Sequence, residues 1–174
     1  MAVEWVRLAL DLEAFDESPF LPRLRSCREA GVELTTMAAV GDTPEHRRAL
    51  YELNKACSAD IPGRGAFHTF DEYLAQRIET PVYDPRGVVL ARDGDAWIGM
   101  AATTIRPEGF AFSEMTGVRA GYRGRGISLA MKLLAIGFAR SGGVPVLRAF
   151  HHPGNTVAIA MNRRLGFVPE PAQG

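Results

Sequence analysis

Thr116-Gly117-Val118-Arg119-Ala120-Gly121-Tyr122-Arg123-Gly124-Arg125-Gly126-Ile127-Ser128 decides how this chain is read. An extended run from Phe110 to Val118 enters the stretch, and a strongly apolar run leaves it. A Gly/Arg-rich turn between a strand and a helix leaves backbone N–H groups pointing out of the helix N-terminus, with guanidinium groups around them. That is a site for a diphosphate. A Cβ at Gly124 or Gly126 would hold the anion away from the backbone. Two other phosphate motifs do not fit. A P-loop ends in Gly-Lys-Ser/Thr, and this stretch has no lysine. A dinucleotide fingerprint needs a third glycine three residues past Gly126, where Leu129 stands. What fits is Arg/Gln-x-x-Gly-x-Gly/Ala, read as Arg123, Gly126 and Ser128.

With this turn, a second block carries a resemblance. Asn155 opens a helix, and Met161-Asn162-Arg163-Arg164-Leu165-Gly166-Phe167 ends it. Together the two blocks resemble the GNAT superfamily of acyl-CoA-dependent N-acyltransferases over about residues 43–170. The resemblance implies an α/β fold with a mixed sheet, an antiparallel meander followed by a βαβα unit. It also implies a gap between two splayed parallel strands, Gly109–Val118 and Val144–Phe150, that admits the pantetheine arm of the cofactor. Residues 43–174 would form the acyltransferase domain. Residues 1–42, a strand-helix-strand (βαβ) extension packed on that core, are similar to the end of a preceding domain in tandem-GNAT proteins of the mycothiol synthase type.

The local signals agree with this order. Val3–Leu10 reads as a strand. Pro19–Ala30 reads as a helix capped by Ser18 and stopped by Gly31, and Val32–Val40 as a second strand. Thr43-Pro44-Glu45 opens a helix carrying Leu50, Leu53, Asn54 and Cys57 on one stripe. A loop and a short helix over Phe70–Ile78, with Asp71 as a cap, follow. Gly87–Arg92, Ala96–Arg106 and Gly109–Val118 then read as strands joined by Asp93-Gly94-Asp95 and Pro107-Glu108-Gly109. The remainder reads as a helix over Gly124–Arg140, a strand over Val144–Phe150, a helix over Asn155–Leu165 and a last strand from Phe167.

Composition sets bounds. The 174 residues suit one domain with an adequate core, and no apolar run reaches the ~20 residues of a membrane span. Met1-Ala2-Val3-Glu4-Trp5 lacks a basic n-region and a cleavage site, so a cytoplasmic protein is expected, with Cys27 and Cys57 as free thiols. Net charge is zero, which argues against nucleic acid. Residues 1–105 carry 11 basic and 17 acidic side chains and residues 106–174 nine and three, so the anion-binding turn lies in the cationic half.

The function that follows from the resemblance is transfer of an acetyl or other short acyl group from acetyl-CoA or another acyl-CoA to an amine. The acceptor would be a small molecule or peptide, and no metal is implied. The cofactor contacts would be Val118, Arg119, Arg123, Gly124, Arg125, Gly126, Ile127, Ser128, Asn155 and Asn162. The alternative is a non-catalytic acyl-CoA-binding or sensor module, or the degenerate half of a tandem protein. Family members often dimerise, and no feature here decides for or against a homodimer.

Acyl transfer needs a base for the amine, donors for the oxyanion, and a fate for the thiolate. The resemblance assigns the oxyanion to the backbone N–H of Val118. Glu114 is the candidate base. It falls inside the strand lining the expected gap and shares a face with Phe110, Phe112, Thr116 and Val118 if that strand is regular. Asp60 is a rival base and a candidate substrate contact. His151 stands where many family members have Asn, and of the adjacent His151 and His152 only one side chain can face the site. Asn162 stands where many have the tyrosine that acts as general acid. It cannot give up a proton but can hydrogen-bond the thioester sulfur or the pantetheine. No cysteine lies near the motifs, so direct transfer in a ternary complex is expected rather than an acyl-enzyme.

Overall fold

The computed structural model describes residues 2–170. Met1 and residues 171–174, which close the expected domain 43–174, lie outside the described residues. Alternating and apolar runs form seven strands: β1 Val6–Asp11, β2 Val32–Thr36, β3 Val88–Asp93, β4 Ala96–Arg106, β5 Phe110–Val118, β6 Val146–His151 and β7 Val168–Pro169. They make one sheet in the order β2-β3-β4-β5-β6-β1-β7. The β5–β6 pair is parallel and the others are antiparallel, so the sheet is mixed.

The helices are α1 Leu21–Glu29, α2 Met37–Val40, α3 Pro44–Cys57, α4 Phe70–Tyr73, α5 Ile127–Ser141 and α6 Thr156–Leu165. One face of the sheet buries α5, with Leu129, Leu133 and Ile136 packed on Leu8, Ala149 and the Leu165-Gly166-Phe167 ending of α6. The other face buries α3 and α4, where Leu50, Leu53, Cys57 and Tyr73 pack on Leu90 and Met100. The antiparallel meander β3-β4-β5 followed by the β5-α5-β6-α6 unit is the architecture the resemblance implies.

Local chemistry explains where elements differ from their expected bounds. The second strand stops at Thr36 because its Oγ1 accepts from the N–H of Ala39 (3.1 Å) and caps α2, so Met37–Val40 is helical. The first helix begins with a 3-10 turn at Ser18–Phe20, and Ser18 lies inside that turn instead of capping it. Thr69 and Glu72, not Asp71, form the reciprocal capping box of α4, which then widens into a π-turn at Leu74–Ile78.

The segment before residue 43 is threaded through the sheet. β1 lies between β6 and β7, with Leu8 opposite Ala149 on one side and Pro169 on the other. β2 forms the far edge on β3. Arg140 of α5 binds the carbonyls of Leu12 and Phe15 beyond β1.

Two irregularities shape the centre. The β4–β5 register shifts so that Ala102 faces Met115 and Thr103 faces Ser113, leaving Glu114 as the extra residue of a bulge. The expected single face is therefore split. Val118 packs with Ile127, Ala130 and Met131 under α5, whereas Glu114 points to the α3–α4 side and meets Arg77. The β5–β6 ladder ends at the pair Ser113–Ala149, and beyond it the two strands part.

Candidate active site

The Gly/Arg turn lies against the N-terminus of α5. Gly124 and Gly126 have φ of 80° and 78°, the left-handed region that a Cβ disfavours. Gly126 is the N-cap of α5 and no side chain caps that end, so the orphan N–H groups of the first turn keep their hydrogen-bonding capacity for a ligand. A Cβ at Gly124 would meet nothing within 4 Å, and one at Gly126 would meet only Arg23 Nη1, at 3.9 Å. The space over both glycines is thus open. Ile127 is buried in the core and Ser128 is half-buried in the first turn.

Backbone carbonyls hold the surrounding guanidiniums. Arg123 Nε donates to Val118 O (3.1 Å), Arg119 Nε to Trp97 O (2.8 Å) and Arg125 Nη2 to Gly121 O (3.2 Å). Asp60 is exposed and pairs with Arg123 (2.8 Å), so it belongs to the edge of this turn. Sequence reading missed Arg23. It sits on α1, about a hundred residues upstream, and only the packing of the N-terminal segment brings it here.

Arg119 N–H donates to Ile98 O on β4 (2.8 Å). Successive N–H groups of a strand point to opposite edges, so the N–H of Val118 points away from β4, into the gap.

On the α3–α4 side, a cavity of about 290 Å³ is lined by Asn54, Phe67, Tyr73, Arg77, Tyr83 and Glu114, among others. Arg106 Nη2 donates to Glu114 Oε1 (2.7 Å), Arg77 Nη1 to Oε2, and Thr104 Oγ1 to Oε1 (3.3 Å). Two guanidiniums therefore fix the orientation of this carboxylate. Asn54 Nδ2 donates to Tyr73 Oη (3.2 Å), and burial raises the Tyr73 phenol.

One cysteine does lie near the motif. Cys57 ends α3 against Gly117, where an added Cβ would come within 2.9 Å of Cys57 Cβ. Burial pushes its thiol up to about 11 against the pull of Arg119 and Arg123, so it stays protonated at neutral pH and is a poor acyl carrier.

A buried polar cluster occupies the α5–α6 face where β5 and β6 part. Asn162 is fully buried. Its Nδ2 lies 2.7 Å from His151 Nε2, and its Oδ1 has no partner among the described residues. His152 turns away, accepting from Gly154 N–H at 2.9 Å, so of the two adjacent histidines only His151 joins the cluster. Asn155 takes the N-cap position of α6 without a side-chain capping bond.

The cluster also contains Lys132, which sequence reading missed. It is 1 % exposed, its Nζ lies 2.5 Å from Ser113 Oγ, and it sits over the ring of Phe167 at 5.5 Å. No carboxylate among the described residues pairs with it. Burial pushes it down to about 7. Burial first, and the Lys132 charge second, push His151 down to about 4. A lone lysine inside the apolar run Ile127–Ile136 was the available signal.

No group of three or more metal-holding side chains occurs among the described residues, and no helix among them is long and apolar enough to cross a membrane.

Comparison with known proteins agrees with this geometry. A mycothiol acetyltransferase of Thermomonospora curvata is 28% identical over 120 residues, 69% of this chain and 40% of that protein. One of Frankia casuarinae is 29% identical over 150 residues, 80% and 42%. The chain thus spans less than half the length of these relatives. Among solved structures, a GCN5-related N-acetyltransferase of Sphaerobacter thermophilus matches with a TM-score of 0.65 at 22% identity, covering 95% of this chain and 48% of that one. The ribosomal-protein-S18-alanine N-acetyltransferase of Escherichia coli matches at 0.62 and 15% identity, covering 80% and 79%. A model of the acetyltransferase (GNAT) family matches residues 47–167, and the chain belongs to that family.

Proposed function

We propose that this chain is an acyl-CoA-dependent N-acyltransferase that moves an acetyl or other short acyl group directly onto an amine in a ternary complex. The observation that carries the reading is the pairing of the uncapped, glycine-lined N-terminus of α5 with a gap that opens beside it past Ser113. Gly124, Gly126 and the first-turn N–H groups of Ile127 and Ser128 would hold the diphosphate, with Arg119, Arg123, Arg125 and Arg23 around it. Acetyl-CoA would supply the activated acyl carbonyl and its thiol leaving group.

The N–H of Val118, aimed into the gap, suits the developing oxyanion. The acceptor would enter from the cavity on the α3–α4 side, where Glu114 is the proposed base, oriented by Arg77 and Arg106. The aromatic lining, with arginines and a carboxylate, fits an amine that carries both apolar and anionic groups, such as an amino acid or peptide N-terminus. The protonated state of Cys57 supports direct transfer over an acyl-enzyme.

Screening amines and amino acids for CoA release tests the reading. Turnover with one of them, lost on Gly126→Glu, supports it. Acetyl-CoA that stabilises the fold but is turned over with no amine favours the non-catalytic acyl-CoA-binding module, a reading to which the double arginine pairing of Glu114 lends weight. A fold that acetyl-CoA does not stabilise refutes both.

A further inference from the structure

We propose that the acceptor is a free α-amino acid with an apolar side chain, and that Arg77 binds its carboxylate by turning away from Glu114. This rests on the acyl-transfer reading above and names the acceptor class of the same site.

Size and lining are the first argument. At about 290 Å³ the cavity lies at the small end of ligand sites, with room for one residue rather than a length of peptide. Leu50, Ile78, Val88 and Met115 give it an apolar floor, which suits an apolar side chain.

Charge is the second. Of the charged side chains along the cavity, Asp84 is paired with Arg86 (2.7 Å), and Arg64 donates to Lys55 O (3.0 Å) and Ser58 Oγ (3.1 Å). That leaves Arg77 and Glu114, which meet each other. Two guanidiniums on the one Glu114 carboxylate leave this cluster with a surplus of one positive charge. A simple alkylammonium would add to the surplus and be repelled. An amino acid brings its own carboxylate for the surplus cation, so each charge then has an opposite neighbour.

The way Glu114 is held is the third. Its bonds are divided between its oxygens. Oε1 accepts from Arg106 and Thr104, both on the central strand β4, and Oε2 accepts from Arg77. Arg77 sits instead on the π-turn Leu74–Ile78, closed by a bond from Glu79 N–H to Leu74 O (2.7 Å). Such widened turns collect at functional sites. The Arg77 side chain is 42 % exposed and that of Glu114 12 %. Arg77 is therefore free to swing to an acceptor while Arg106 and Thr104 keep Glu114 in place. Its planar fork matches a carboxylate with two parallel bonds. The swing uncovers Oε2, so the double pairing that would idle a base is lifted by the acceptor itself.

Binding to the protein–CoA complex, read by calorimetry, tests the proposal. The probes are L-leucine, L-methionine and L-phenylalanine, their α-amides, and the matching amines without a carboxyl group, phenethylamine among them. At least one acid should bind about tenfold tighter than its amide and its amine, the worth of one charge-assisted bond. Arg77→Met should lower affinity for that acid by about the same factor and leave the amide nearly unchanged. Retained thermal stabilisation by CoA shows that the variant is folded. Amides or amines that bind as well as the acids, acids that do not bind, or a preference that survives Arg77→Met would each overturn the proposal and leave the acyl-transfer reading standing. A wild type that CoA does not stabilise overturns that reading and this proposal with it.

Discussion

Replacing Lys132 by methionine should stabilise the protein at neutral pH, and the gain should fade as pH rises. Folding moves Lys132 from its ordinary 10.5 to about 7, with burial as the cause. At about 1.4 kcal/mol per tenfold change, the charged form carries a penalty on the order of 5 kcal/mol in the folded state. Below pH 7 the lysine is protonated in both folded and unfolded chains, so the penalty is fully present. Between 7 and 10.5 the unfolded chain binds more protons than the folded one, and wild-type stability rises with pH. Above 10.5 the penalty is gone. Methionine has similar length and no charge, so Lys132→Met escapes the whole effect. Its advantage over wild type should therefore shrink by about 3 kcal/mol between pH 6 and pH 9.5. Urea unfolding of both proteins across that range measures it. With slopes of about 1–3 kcal/mol per molar, the gap between midpoints should close by roughly one to three molar. Tyr73, Tyr83 and Tyr122 are raised and weaken the fold at alkaline pH, but equally in both proteins, so they cancel in the difference. A pH-independent difference would refute the reasoning, because it would mean that Lys132 keeps its charge when buried.

Gly126→Glu puts a carboxylate into the proposed diphosphate cradle at a left-handed φ of 78°. It should abolish the acetyl-CoA-induced thermal stabilisation, worth about 2.7 kcal/mol at a hundred times the dissociation constant, and a full shift would mean the site is misplaced. Arg23→Ala removes one exposed cation beside Gly126, so CoA affinity by calorimetry should fall about two- to fivefold, more at low salt, with the fold intact. Glu114→Gln removes the proposed base and strands Arg77 and Arg106. The transfer rate should drop about 10²–10⁴-fold while CoA binding stays within a few-fold, and a rate left unchanged would pass the base role to water.

The local signals of the sequence carried most of the architecture. Ala96–Arg106 was legible as a strand because turn residues bracket it, with Gly94 and Gly109 at positive φ. The Gly/Arg turn was legible because Gly124 and Gly126 take a left-handed φ that no other residue adopts as cheaply. Placement of β1 between β6 and β7 was not legible, since nothing in Val6–Asp11 records which strands it will meet 140 residues later. The bulge at Glu114 escaped for a related reason: Phe110–Val118 reads as regular until β4 is laid beside it. Arg23 needed the packing of α1 near α5. Lys132 escaped because a single lysine in an apolar helix reads the same from sequence whether its head is buried or reaches solvent.

The bulge also organises the chemistry proposed here. One extra residue in β5 turns Glu114 toward the cavity under α3 and returns Val118 to the α5 side. A regular strand would have put Glu114 and Val118 on one face. With the bulge, the proposed base Glu114 faces the α3–α4 cavity, where the amine would enter, while the Val118 N–H points into the gap beside β6. The proton lost by the amine then has its own route to water, through the cavity that Glu114 lines. A carboxylate pinned by arginines suits that arrangement. It is held in place to meet the incoming amine.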